Sequence, residues 1–451
     1  MNISSTQVPL SFQQQWLWDL MERHGDWDCV VSQAFTLTGA LDIKLLQMSF
    51  NEVGRRHGSL RTRIVAVDGA VSQQVDDPTG YRADIAVSNG SADVPNDARA
   101  RRFFEEFVDA KLERTAGQLL KVSLAKLTGE HHVLAVAFHR LIADCSSIEQ
   151  VLREVWLLYG AFVQDQPAPL APTPGQYGDY ALWQRQAQSQ WLRKNQAYWQ
   201  TRLANAMPLK WQTDVGATGD ARTLGRMSVC FGDTLSARLR EFSREARTLS
   251  AAVMLTLYVA VLWRRCRQKD FVVPFKIAGR QSEHKAIVGY FTNILYLRIA
   301  LTGEETFSGI LSQVANEFFQ SLSHEDFGRV ATERPDLLAG TFFQWVTWHP
   351  AHAARLTLPA AGSQAGLTVE PLAVRDFGEG LTAIPPGMTA VEVTFFDTPK
   401  GINAFGVYRT DLFTQNSMER FMQDLRTAAE QFVNNPQERI TAGSGDERDV
   451  V

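Results

Sequence analysis

Apolar residues recur along this chain with two distinct rhythms. In "LDIKLLQMSFNEVGRRH", Leu41, Leu45, Leu46, Phe50 and Val53 fall on one helical face, and "RTRIVAV" just after it reads as a strand. "HHVLAVAFH" is an apolar run too short for a helix and is predicted to be a buried strand. "SSIEQVLREVWLLYGAF" then puts Ile148, Val151, Leu152, Val155, Trp156 and Tyr159 on one face. Ser146 with Glu149 three positions on matches a capping box, which predicts a helix starting immediately after Asp144.

The second half repeats this grammar. One long amphipathic helix is predicted over "YGDYALWQRQAQSQWLRKNQAYWQTRLA" and another over "SAAVMLTLYVAVLWRRCRQ", with strands at "DFVVPFKIA", "NILYLRIAL" and "AVEVTFFD". Strands and helices alternating in both halves predict an α/β architecture of two similar lobes. The clearest break is "DQPAPLAPTPG", Asp165 to Gly175, where four prolines in eleven residues exclude helix and central strand. The expected division is an N-terminal lobe over 1–165, a proline-rich linker over 166–175, a C-terminal lobe over 176–435 and a loose polar tail over 436–451.

Composition narrows the function classes. Of 451 residues, 45% are hydrophobic and 21% charged, which is globular, and the length favours two domains over one. The net charge of −4 and the lack of any concentrated Lys or Arg run argue against nucleic acid or an anionic membrane as partner. Cys29, Cys145, Cys230 and Cys266 contain no CxxC pair, which argues against a zinc site or a disulfide framework and for reduced thiols in a cytoplasm. The N-terminus lacks a signal-peptide pattern, and no apolar run reaches membrane-spanning length.

The chemistry centres on "AFHRLIADCSS", a histidine ending an apolar strand and an aspartate opening a helix. With its surroundings this stretch resembles the condensation domains of nonribosomal peptide synthetases. "PLSFQQQWLWDL" and "RRHGSLRTRI" are similar to the first two signatures of that family, and "AFHRLIADCSS" falls where the family carries two histidines, three variable residues, Asp and Gly. "YGDYALWQ", "GRQSEHKAIVGYFTNILYLR" and "YRTDLF" follow in the family's order. The resemblance implies a pseudo-dimer of two chloramphenicol-acetyltransferase-like lobes with a tunnel between them. It also implies a phosphopantetheine arm of an acyl or peptidyl carrier protein as the partner group, with no bound cofactor and no metal. With Met1 close before the first signature and no adenylation or carrier segment present, a stand-alone monomer is the expectation.

Carried over position by position, His139 takes the first histidine, Arg140 the second, Asp144 the aspartate and Cys145 the glycine. In the family the second histidine positions or deprotonates the acceptor, and the aspartate holds the local fold through an arginine. Arg61 of "LRTR" matches that arginine, and Arg280 of "AGR" is the other candidate. A guanidinium with a pKa above about 12 cannot serve as a general base, though it can hold an anion or a developing oxyanion. Cys145 adds a side chain where the pantetheine arm is expected to pass. Its proximity to a helix start allows an activated nucleophile, but free cysteines are more often small buried hydrophobes.

Blander readings stand beside these. His131 and His132 lack an aspartate at the motif spacing and read as the start of a strand; Trp183, Trp191 and Trp199 read as packing residues. "SHEDFGR", with His324 and Asp326, reads equally as a late family signature and a solvated turn, and "TFFQWVTWHP" reads as a strand and its exit. Two functions stay open. One is acyl transfer from a carrier thioester to an amine or alcohol at an altered site. The other is a catalytically silent platform that docks carrier proteins and recruits a tailoring enzyme, as condensation-like X-domains of glycopeptide synthetases with His-Arg in the motif do.

Overall fold

The computed structural model describes residues 5–25, 29–67, 69–89, 96–109, 112, 119–186, 191–215, 223–325, 330, 333–347, 366–372 and 388–440. The chain divides into two compact units. Unit 1 comprises Met1–Gln188, Ala278–Thr292 and Pro350–Leu381, and unit 2 comprises Ser189–Ile277, Asn293–His349 and Thr382–Val451. This differs from the division expected at the proline-rich stretch. The helix beyond those prolines packs into unit 1, where the Tyr177 hydroxyl meets Ser11 Oγ at 2.7 Å and the Tyr180 hydroxyl accepts from Gln13 at 3.0 Å. Two later segments also return to unit 1, so neither unit is one continuous stretch.

Unit 1 contains β1 (Ser5–Pro9), α1 (Phe12–His24), β2 (Val30–Gly39), α2 (Ile43–Arg56), β3 (Thr62–Val67), β4 (Ala70–Asp76), β5 (Ile85–Asn89), α3 (Asn96–Asp109), β6 (Leu120–Lys126), β7 (His131–His139), α4 (Cys145–Val163) and α5 (Tyr177–Gln186). Unit 2 supplies α6 (Trp191–Arg202), β8 (Leu224–Cys230), α7 (Gly232–Glu245), α8 (Ser250–Cys266), β9 (Asp270–Ile277), β10 (Asn293–Ala300), α9 (Phe307–Ser323) and β11 (Thr341–Thr347). β12 (Leu367–Pro371) belongs to unit 1, and β13 (Val391–Thr398), β14 (Gly401–Arg409) and α10 (Gln415–Asn434) belong to unit 2.

Among the described residues, unit 1 has a five-stranded sheet in the order β12-β2-β7-β6-β5 and a three-stranded sheet β1-β4-β3, and unit 2 has a six-stranded sheet β10-β9-β11-β13-β14-β8. The α/β class holds, but both large sheets are mixed: in unit 1 β7 runs antiparallel to β2 and β6 while β5 runs parallel to β6, and in unit 2 β11 runs parallel to β9 and β13 while β14 runs antiparallel to β13 and β8.

β7 is a central strand buried on both faces, which is why its sequence is apolar without alternation. Val133, Ala135 and Ala137 pack with Phe104 and Phe107 of α3, while Leu134, Val136 and Phe138 are buried on the opposite face. The adjacent histidines open this strand as expected, with His131 Nδ1 3.1 Å from Thr128 Oγ1. α8 is apolar all round because every residue from Ala252 to Trp263 is buried in the core of unit 2. Among the described residues no single helix is long and apolar enough to cross a membrane.

The stretch predicted as one long helix forms α5 and α6, with 187–190 outside the described residues. Residues 441–451 of the tail, Asp326 and the Trp191 side chain also lie outside them. Trp199 is buried and donates to the His324 carbonyl at 2.6 Å, whereas Trp183 is 45% exposed and stacks on Tyr180. "TFFQWVT" forms β11.

Candidate functional site

The turn 140–144 joins β7 to α4 in unit 1. Its position follows from strand pairing: Val30 of β2 faces His139, and the Arg140 N–H donates to the Cys29 carbonyl at 2.8 Å. The Ile142 N–H closes the turn onto the His139 carbonyl at 3.0 Å, and the Leu141 carbonyl accepts from Gln14 Nε2 at 2.7 Å. Gln14 is itself fixed by a capping box at the start of α1, where Ser11 and Gln14 bond each other's backbone N–H.

Asp144 is the N-cap of α4. Its Oδ1 accepts from the Ser147 N–H at 2.8 Å and from Arg280 Nη2 at 2.7 Å, and its Oδ2 accepts from the Phe291 N–H at 3.1 Å. Ser147 Oγ also accepts from Arg280 at 2.6 Å and from the Gly289 N–H at 2.9 Å. Arg280 donates onward to the carbonyls of His284 and Ile287 and lies over the Phe291 ring at 4.2 Å. With the two side chains 5% and 7% exposed, Asp144 and Arg280 form a buried, hydrogen-bonded ion pair that locks residues 280–291 against the turn. Gly289 is required there: a Cβ would sit 1.9 Å from the Tyr177 ring.

The two residues at the strand end are equally enclosed, His139 at 3% exposed and Arg140 at 4%. His139 Nδ1 accepts from the Leu141 N–H at 3.1 Å. A neutral imidazole that accepts at Nδ1 carries its proton at Nε2, so what it offers there is a donor. Arg140 lies within electrostatic reach of the Tyr290 phenol; burial pushes that phenol well above its ordinary pKa, and the guanidinium acts against the shift. The arrangement presents a permanent cation and an N–H donor on a rigid turn, and among these side chains no group is set to take a proton.

Comparison with known proteins decides the family. The condensation-domain sequence model matches residues 4–330. The chain belongs to the condensation-domain family. A linear gramicidin synthase of Brevibacillus parabrevis is 29% identical over 449 residues, covering 96% of this chain and 8% of that protein, so the chain spans less than a tenth of that relative's length. Among solved structures, SgcC5 from Streptomyces globisporus matches with a TM-score of 0.75 at 24% identity, covering 96% of this chain and 100% of that one. The X-domain from teicoplanin biosynthesis matches with a TM-score of 0.78 at 21% identity over 96% of both chains. Its complex with OxyB matches with a TM-score of 0.77 at 20% identity, covering 96% of this chain and 95% of that one. These structural likenesses establish the α/β, chloramphenicol-acetyltransferase-like fold of condensation domains.

Within that family framework some expected site residues fall elsewhere. Arg61 does not pair with Asp144; it donates to the backbone carbonyls of Gly54 and Asp76, and the candidate that pairs is Arg280. Ser146 is exposed and does not cap α4, because Asp144, two residues earlier and held by Arg280 and the Phe291 N–H, bonds the Ser147 N–H. Cys145 is exposed at the first position of α4 and is not a buried hydrophobe. His139, Arg140, Asp144 and Arg280 gather at one place in unit 1.

Sequence reasoning missed Gln14, Ser147, Gly289 and Tyr290. The Ser11-x-x-Gln14 spacing is itself a visible capping signature, whereas nothing local to the others points across the fold. The other family signatures in unit 1 converge on the same segment, with Ser59 Oγ donating to the Val288 carbonyl at 2.6 Å and the Tyr177 hydroxyl to the Tyr290 carbonyl.

Proposed function

We propose that this chain takes an acyl or peptidyl group from the phosphopantetheine thioester of a carrier protein and transfers it to an amine, in nonribosomal peptide or hybrid polyketide biosynthesis, with Arg140 stabilising the carbonyl oxygen. The observation that carries this reading is Arg140, a residue 4% exposed, on a turn whose backbone and neighbours are held by hydrogen bonds. A cation fixed in advance in a low-dielectric site is suited to charge that develops on an oxygen, because it need not reorganise when the charge appears.

The step balances without a protein base. The amine lone pair attacks the thioester carbon and the carbonyl electrons move onto the oxygen held by Arg140. As the tetrahedral adduct collapses the C–S bond breaks, and the departing pantetheine thiolate takes up the proton lost by nitrogen. An alcohol needs its proton removed during attack, and neither Arg140 nor an Nε2-protonated His139 removes it. The expected product is therefore an amide and not an ester.

A second reading keeps the turn as a docking element on a silent platform that binds carrier proteins and recruits a tailoring enzyme. It is favoured by the lack of a base among the motif side chains and by the likeness to the X-domain, which has been solved in complex with OxyB.

Reconstitution separates the two. The purified chain is given acyl-loaded carrier protein with amine or alcohol acceptors, and product is followed by mass spectrometry. The acyl-transfer reading expects amide from the wild type, no ester, and a rate lower by about 10²–10³-fold in Arg140→Ala. An inert wild type beside an active Arg140→His would establish the platform instead.

A further inference from the structure

Unit 2 holds a cavity of about 360 Å³ beside α6, within the size range of small-molecule sites. Trp199, Leu203 and Val330 line it, and all three are buried residues, so its floor is apolar. Its frame is held by hydrogen bonds at both ends of the helix face. Asn195 and Trp199, one turn apart on α6, grip the chain that leaves α9: Asn195 Nδ2 donates to the Glu325 carbonyl at 3.0 Å and Trp199 Nε1 to the His324 carbonyl at 2.6 Å. Beyond the C-terminus of α6, Arg334 donates to the carbonyls of Leu203 at 3.1 Å and Ala206 at 2.8 Å.

The polar groups of the lining restrict what fits. Asn195 is 2% exposed, and because the Glu325 carbonyl must receive a donor, the amide nitrogen is fixed there and Oδ1 is the atom left over. Among the described residues Oδ1 has no hydrogen-bond partner, although its side chain lines the cavity. A buried acceptor in that state asks for a donor from whatever fills the space. Charge adds a second restriction. Arg334 is turned to Asp336, with Nε at 2.9 Å and Nη2 at 2.8 Å from its carboxylate, and Glu333 stands exposed beside it, so the wall offers an anion no uncompensated cation. The indole of Trp199 on the floor favours a flat partner.

We propose that this cavity is a binding site for an uncharged aromatic molecule with one O–H or N–H donor, the ring lying against Trp199 and Leu203 and the donor meeting Asn195 Oδ1. Neither the site nor its ligand depends on what Arg140 does.

The test titrates the intact chain with 4-fluorophenol and with 4-fluoroanisole, which keeps the ring and oxygen but carries a methyl group in place of the hydroxyl hydrogen. Binding is read from the fluorine NMR signal of each probe. The wild type is expected to bind the phenol about tenfold more tightly than the anisole. Asn195→Leu is expected to erase that preference by weakening the phenol alone. Ala204→Trp, a bulky side chain at an exposed lining position, is expected to abolish binding of both probes. A wild type that binds neither probe, or both equally, would overturn the proposal, as would phenol binding that survives Ala204→Trp. Equal weakening of both probes in Asn195→Leu would make Asn195 a purely structural residue and overturn its role as the acceptor. Should Asn195→Leu not fold, the wild-type preference and its loss in Ala204→Trp decide.

Discussion

β7 ends at His139 and leads through residues 140–144 into α4, and β14 ends at Arg409 and leads through 410–414 into α10. The two turns have the same backbone plan. Arg140 and Thr410 each donate to the residue before a neighbouring antiparallel strand, at 2.8 Å to Cys29 and 3.1 Å to Thr223. Each turn closes onto the last strand residue, at 3.0 Å from Ile142 to His139 and 3.2 Å from Leu412 to Arg409. Asp144 caps the Ser147 N–H as Thr414 caps that of Ser417.

The side chains part company. Every residue from His139 to Asp144 is buried, and the partners of Asp144 come from Arg280, Gly289 and Phe291. In unit 2 Thr410 and Thr414 are exposed, and Arg409 meets its charge locally, with Nε 2.9 Å from Asp411 Oδ1. Both carboxylates are buried, Asp411 at 2% and Asp144 at 5% exposed, but Arg409 keeps 20% of its side chain in water where Arg280 keeps 7%, and the deeper burial of Arg280 raises the cost of losing its partner. The same low dielectric strengthens whatever Arg140 does to a ligand.

The contrast breaks most visibly at the carboxylates. Asp144→Ala strands Arg280 in a buried setting and is expected to cost about 3–5 kcal/mol, against about 1–2 kcal/mol for Asp411→Ala, where Arg409 can turn to water. Urea unfolding of both variants checks this, and similar losses would abolish the distinction. Next comes His139→Ala, which leaves the buried Leu141 N–H without its acceptor and is expected to cost about 1–3 kcal/mol by the same measurement.

The smallest effect concerns acid. The hydrogen bond and charge of Arg409 hold the Asp411 carboxyl below the usual range. The stability this contributes is fully present above the unfolded value of about 4 and is lost as the pH falls through the depressed folded value. Asp411→Asn should therefore lose less stability than the wild type between pH 7 and pH 3, read from urea midpoints.

Much of this was legible from local pattern. The apolar run of β7, the start of α4 right after Asp144 and the all-apolar α8 each follow from periodicity or burial that a short window contains. What failed was choice among distant partners. Arg61 and Arg280 both suit an aspartate chemically, and only the return of residues 278–292 to unit 1 selects Arg280. Ser146 and Glu149 form a valid capping signature, yet Asp144 takes the cap, held there by Arg280 and the Phe291 N–H from a distant segment. Composition does not mark the points at which a chain leaves one unit and comes back to it.

That interleaving has a consequence for the order of events during synthesis. A nascent chain emerges N-terminus first, and domains form as their parts become available. Asp144 leaves the ribosome well before Arg280, Gly289 and Phe291, and β12, which completes the sheet edge beside β2, comes later still. The anionic end of α4 must therefore wait in water for its counter-ion, and the site becomes dry only after residues 280–291 have followed it out.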